Sequence, residues 1–185
     1  MSKHSRVFLI GFSGSGKTTL GRVLAQRLKM NFHDLDTLIV KREGKSITRI
    51  FADHGEQYFR KLEKKVLKEV LSLKQSQIIA LGGGAFEAVS TRDLIRKHGV
   101  SVYLRCSLNE IHARVKNQTD RPLLIFLSKG KKLTRQEKLK RLKKLLDKRK
   151  INYARADISL STTRKTVSLA VSELIERLKD AGNKR

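Results

Sequence analysis

Gly11-Phe12-Ser13-Gly14-Ser15-Gly16-Lys17-Thr18 is the stretch whose residue types and spacing specify chemistry most directly. It follows the pattern G-x-x-x-x-G-K-[ST]. Glycines there let consecutive backbone N–H groups curl around phosphate oxygens, and the start of the following helix adds partial positive charge. Lys17 would reach the β- and γ-phosphates of a nucleoside triphosphate, and the Thr18 hydroxyl would ligate Mg2+. An apolar run, Val7-Phe8-Leu9-Ile10, precedes the loop, and a helical pattern follows it. Chance would give roughly 0.01 such matches in a chain of this composition, which disfavours a plain glycine-rich turn.

Four further groups bear on what receives the phosphoryl group. Asp34-Leu35-Asp36 closes the second apolar segment, where a parallel sheet opens its ligand crevice. One carboxylate there could hold Mg2+ through water, and the other could take the proton of an attacking hydroxyl; the plainer alternative makes Asp36 a helix N-cap. Arg60 and Glu63 share a helix face at i, i+3, so Glu63 could aim the guanidinium at a carboxylate or phosphate, or the two could form an ordinary surface pair. Gly82-Gly83-Gly84 follows a buried run and allows backbone to approach a ligand with no Cβ in the way. Arg121-Pro122-Leu123-Leu124 lies in the longest irregular stretch, residues 117–133, which reads as a lid whose arginine meets the transferring phosphoryl group.

The elements that must position these groups alternate along the chain. Short apolar runs at 7–10, 31–35, 78–81, 100–104 and 158–160 read as strands. Helical spacing covers 17–29, a segment capped by Ser46 and ended by Gly55, then 56–73, 90–98, 107–116, 134–149 and 166–179, with capping-box spacing at Ser107…Glu110 and Thr134…Glu137. Such alternation predicts an α/β fold with a parallel sheet covered by helices on both faces. At 185 residues, with 39% hydrophobic and 32% charged, the chain is expected to form one domain over 1–185. One cysteine, Cys106, excludes an internal disulfide and fits a reducing compartment, and no run approaches the ~18 apolar residues of a membrane span. A cytoplasmic protein is expected.

Together these pieces resemble the shikimate kinase family, from Gly11 through about Arg164. The carriers are G-F-S-G-S-G-K-T at 11–18, D-L-D at 34–36, G-E-Q-Y-F-R-K-L-E at 55–63, G-G-G at 82–84, R-P-L-L at 121–124, and Arg149 with Tyr153. The resemblance implies a three-layer P-loop kinase fold: a five-stranded parallel sheet flanked by helices, with a lid at about 117–133 and a substrate-binding segment at about 35–63. It implies ATP-dependent phosphorylation of the 3-hydroxyl of shikimate, with Mg2+, toward chorismate and the aromatic amino acids. Gly14, Ser15, Gly16, Lys17, Thr18 and Thr19 would line ATP, and Asp34 would support the metal through water. Asp36 would bind the substrate hydroxyls and act as, or stand in for, the general base, and Arg60 and Arg149 would hold the carboxylate. Gly82, Gly83 and Gly84 would give backbone contacts. Arg121 would bridge to the phosphates, Arg114 would stack on adenine, and Arg164 would form the other side of that pocket. After Arg149 the family usually reads x-Pro-Leu-Tyr, whereas this chain has Lys150-Ile151-Asn152-Tyr153 and so lacks a fixed φ just past the arginine.

The alternatives are a kinase for gluconate or for a nucleoside monophosphate on the same scaffold and, from another class, a nucleotide-gated nucleic-acid-binding protein. The last is raised by the net charge of +25, concentrated in residues 129–150, where twelve Lys or Arg stand against two acids. That stretch has no aromatic residue for base stacking and reads better as a solvated helix face. The expected partners are therefore small molecules, shikimate and ATP, acting on a monomer, without nucleic acid or membrane.

Overall fold

The computed structural model describes residues 5–115 and 134–183. The expected lid at 117–133, with Arg121, lies outside the described residues.

Five strands form one parallel sheet: β1 (Arg6–Ile10), β2 (Asn31–Asp34), β3 (Gln77–Ala80), β4 (Val100–Arg105) and β5 (Ile158–Ser161), in the order β2-β3-β1-β4-β5. Among the described residues the helices are α1 (Lys17–Leu28), α2 (Leu35–Glu43), α3 (Ile47–Ser72), α4 (Val89–His98), α5 (Leu108–Val115), α6 (Arg135–Tyr153) and α7 (Val167–Asn183), with a 3-10 turn at Ala85–Glu87. The expected α/β class and the parallel sheet are present.

Period-two alternation explains the layers. Val7 and Leu9 of β1 pack with α1 and α7, through Leu20, Leu24, Val171 and Leu174. Phe8 and Ile10 face the opposite layer, where α2, α3, α4, α5 and α6 contribute Ile39, Leu67, Ile95, Ile111 and Leu142. Strands buried on both faces read as continuous apolar runs, which is why they were legible as short hydrophobic stretches. Their carboxyl ends all point one way, so the loop after β1, the aspartates after β2 and the glycines after β3 meet along one edge.

Three boundaries depart from expectation. The second strand stops at Asp34, and Leu35 already begins α2, because the Asp34 side chain caps that helix by accepting from the backbone N–H groups of Asp36 and Thr37 at 3.1 and 3.3 Å. Asp34, rather than Asp36, is thus the cap. The helix expected to end near 149 runs on to Tyr153, since nothing in Lys150-Ile151-Asn152 removes a backbone donor as proline would. The terminal helix also extends past 179, to Asn183.

Gly55 breaks α3 as expected: its φ of 76° and ψ of 175° interrupt two helical halves. Only glycine occupies that region without strain. The break lets the second half, bearing Phe59, Arg60, Leu62 and Glu63, leave the first at a new angle. Gly55→Ala should therefore lower stability by about 1–3 kcal/mol in urea unfolding; an unchanged midpoint would show that the break costs the chain nothing.

Candidate active site

The phosphate loop joins β1 to α1. Gly14 and Gly16 have φ of 84° and 96°, and Gly16 caps α1 in the left-handed conformation. Lys17 Nζ folds back onto the carbonyl oxygens of Gly11 and Phe12 at 2.9 and 3.0 Å, within the loop it would use to embrace phosphates. The Thr18 hydroxyl donates to Asp34 Oδ2 at 2.6 Å. Two hard oxygen donors therefore lie side by side at the start of α1, the donor chemistry that Mg2+ prefers when phosphates and water supply its remaining ligands. Thr19 is exposed in the same first turn.

Behind the loop, the three glycines after β3 act as a plate against which charged side chains close. A Cβ on Gly82 would overlap Glu63 Oε1 and lie 2.9 Å from Asp36 Oδ1. On Gly83 it would lie 3.4 Å from both Arg149 Nη1 and the Ser13 backbone nitrogen of the phosphate loop. On Gly84 it would overlap Arg60 Nη2 and stand 2.8 Å from the guanidinium carbon. One glycine thus faces two carboxylates and another faces Arg60, while the middle one lies between Arg149 and the phosphate loop.

The side chains hold one another. Arg60 Nη1 donates to Glu63 Oε2 at 2.8 Å, and its Nε and Nη2 reach Glu56 Oε1 at 3.3 and 3.2 Å. Glu63 is only 4% exposed, so the surface-pair alternative does not hold. Arg149 is 7% exposed on α6, with its guanidinium carbon 5.6 Å from the centre of the Phe12 ring in the phosphate loop. Tyr153, one turn further along α6, donates its hydroxyl to the Gly83 carbonyl. Asn152 donates to Glu87 Oε2 at 3.2 Å. The helix end lacking the family's proline is thereby fastened to the glycine plate and to the turn after it.

Two buried polar atoms here, Arg149 Nη1 and Glu63 Oε1, have no hydrogen-bond partner among the described residues. Such atoms are costly to bury unless something else satisfies them. Burial dominates the Glu63 carboxyl, pushing it from 4.5 up to about 7, with Asp36 adding to the rise and Arg60 and Arg149 opposing it.

On the other side of the phosphate loop, Arg114 on α5 donates through Nη1 to the Gly14 carbonyl at 3.2 Å. Arg164, beyond β5, has its backbone in the left-handed region at φ 54°. Arg114 thus touches the phosphate loop, while the backbone N–H of Arg164 is bonded to Glu110 of α5. Two fastenings were not read from the sequence: Asn152 to Glu87, and Glu110 Oε1 to the Arg164 backbone N–H at 2.8 Å. The second links residues 54 apart, so only the capping signal Ser107…Glu110 was locally visible.

Comparison with known proteins bears on the family. The model of shikimate kinase matches residues 13–179. A shikimate kinase from Chlorobaculum tepidum is 43% identical over 96% of this chain and 92% of its own. The chain belongs to the shikimate kinase family. Another shikimate kinase, from Chlorobium limicola, is 45% identical over 94% of this chain and 86% of its own. Among solved structures, the shikimate kinase from Acinetobacter baumannii in complex with shikimate superposes with a TM-score of 0.86 at 28% identity, covering 97% of this chain and 96% of that one. A gluconokinase from Sinorhizobium meliloti, at 15% identity and a TM-score of 0.57, shares the fold alone.

For this family member the Glu63 shift sets a pH dependence of stability. The folded chain keeps its proton to higher pH than the unfolded chain does, so the Glu63 contribution is full below about pH 4.5 and is lost as pH rises toward 7. Urea unfolding between pH 4.5 and 8 should show wild type losing stability relative to Glu63→Gln across that window. Parallel curves for the two proteins would contradict the burial argument.

Proposed function

We propose that the chain transfers the γ-phosphoryl group of ATP to the 3-hydroxyl of shikimate, giving shikimate 3-phosphate and ADP, as a single domain over 1–185. The observation that carries this reading is the pair of guanidinium groups, half-buried Arg60 and buried Arg149, closing on the glycine plate beside Asp36 and next to the phosphate loop. A small hydroxylated ring acid has the complementary chemistry, with a carboxylate for the arginines at one end and hydroxyls for the aspartate at the other. The unpartnered Nη1 of Arg149 would bond that carboxylate.

In this reading Gly14, Ser15, Gly16, Lys17, Thr18 and Thr19 hold the triphosphate, and Lys17 leaves the Gly11 and Phe12 carbonyls to meet the β- and γ-phosphates. Mg2+, held by the Thr18 hydroxyl and through water by Asp34, would offset phosphate charge. Asp36 orients the acceptor hydroxyl and takes its proton as the oxygen attacks phosphorus and ADP leaves. Little covalent chemistry is needed beyond that, since phosphoryl transfer rests on positioning and charge compensation. Glu63 does not touch the acceptor; it holds Arg60 in aim. Arg121 is assigned to the phosphates of the closed enzyme, and the segment 117–133 to the lid, from the family resemblance. The outward basic residues of α6, among them Lys138, Lys143, Lys144 and Lys148, raise the local concentration of anionic substrates. A cytoplasmic monomer fits these roles.

Release of ADP in a coupled assay tests the proposal. Turnover should depend on shikimate, and Asp36→Asn should lower kcat by at least about 100-fold, as expected for loss of a positioned base, while leaving ATP affinity within about twofold. Turnover with gluconate or a nucleoside monophosphate but not with shikimate would overturn it.

A further inference from the structure

Among the described residues, Glu110 is a carboxylate that joins the two walls beside the phosphate loop. Its Oε2 accepts from Arg114 Nη2 at 2.7 Å, one turn along α5, and from the Cys106 thiol at 3.5 Å. Its Oε1 accepts from the Arg164 backbone N–H at 2.8 Å, in the segment between β5 and α7. Arg114 is held from its other terminal nitrogen by the Gly14 carbonyl, so its guanidinium is fixed at both ends. Arg164 carries a left-handed backbone that side-chain-bearing residues adopt rarely, and the bond from Glu110 is what holds its N–H. Neighbouring bonds prepare the same junction: Thr162 Oγ1 donates to the Ser15 and Arg105 carbonyls at 3.3 and 3.0 Å, and Thr163 Oγ1 accepts the Ser107 N–H at 2.9 Å. These bonds place the β5–α7 segment against the phosphate loop. Glu110 ties it directly to the arginine opposite, beside a weaker link in which Arg114 Nη1 reaches Cys106 Sγ at 3.5 Å.

We propose that Glu110 is a positioning residue that sets the width of the slot for the nucleotide base, by bonding the Arg114 guanidinium with one carboxylate oxygen and the Arg164 backbone with the other. The inference rests on the reading that Arg114 stacks on adenine with the Arg164 segment opposite. A planar base gains most from two faces held at a fixed separation, and a carboxylate bonded on both oxygens supplies that spacing. Triphosphate binding by the glycine loop needs neither wall. Glu110 should therefore govern recognition of the base and leave both the phosphates and the acceptor alone.

The test is Glu110→Gln, which keeps size and one carbonyl acceptor but sets an amide against the N–H donors of Arg114. Its KM for ATP should rise about tenfold, as for loss of one charge-assisted hydrogen bond. Its kcat, its KM for shikimate, its melting temperature and its inhibition by inorganic tripolyphosphate should stay within about twofold or a degree or two of wild type. Arg114→Ala, assayed in parallel, separates the two levels of the argument. A raised KM for ATP in Arg114→Ala with none in Glu110→Gln would overturn the role of Glu110 and spare the adenine reading. No rise in either would overturn that reading and the inference with it. A rise for ATP and shikimate together, with a lower melting temperature, would make Glu110 merely structural and also overturn the proposal. Should Glu110→Gln fail to fold, Glu110→Asp, one methylene too short to reach both walls, is read by the same criteria.

Discussion

Two guanidinium groups and two carboxylates crowd against a strip of backbone that has no side chains to keep them off. That crowding is the constraint on which the site depends. Burying charge is expensive unless each group is paired, and here the pairing is incomplete on both sides. Arg60 is satisfied by Glu63 and Glu56, whereas Arg149 keeps one buried nitrogen and Glu63 one buried oxygen without protein partners among the described residues. A core designed for stability alone would replace such a cluster with apolar side chains. Its presence makes sense where a charged ligand completes the network, and the proposed substrate carries a carboxylate that Arg149 Nη1 can bond.

The fold exists, in functional terms, to bring that cluster to the phosphate loop. Four separate pieces of chain converge: the loop after β1, the first turn of α2, the second half of α3 and the last turns of α6. The three helical pieces are each aimed by a different local device. The break at Gly55 redirects α3, the Asp34 cap starts α2 so that Asp36 falls in its first turn, and the Tyr153 hydroxyl moors α6 to the Gly83 carbonyl. Phe12 then joins Arg149 to Lys17, because its ring lies 5.6 Å from the Arg149 guanidinium carbon while its carbonyl receives Lys17. In the proposed reading, phosphates in the loop would draw Lys17 off that carbonyl and so act on the residue that supports Arg149.

What could be read in advance was what local pattern encodes. The phosphate loop, the alternating strands and the stop at Gly55 each rest on residues within a few positions of one another. Arg60 and Glu63 were legible as a pair, but the burial of Glu63 was not, since it depends on the distant glycine strip. The sequence suggested Asp36 as the plainer alternative for a cap, and Asp34 does that work because its side chain sits at the end of β2, where the N–H groups of Asp36 and Thr37 come within reach. The run of α6 past Arg149 was missed because the capping signal marks where a helix starts, while its end is set by packing of Tyr153 and Asn152 against distant elements. The second bond of Glu110 was invisible for the same reason, being tertiary rather than periodic.

Calorimetric titration of shikimate and of its methyl ester into the protein bears most directly on the pair Arg60 and Arg149. The ester keeps the ring and hydroxyls and removes the negative charge. With two charge-assisted hydrogen bonds at about 1.5–3 kcal/mol each at stake, the free acid should bind and the ester should bind at least about 100-fold more weakly. Equal affinities for the two compounds would mean that Arg60 and Arg149 hold something other than a substrate carboxylate.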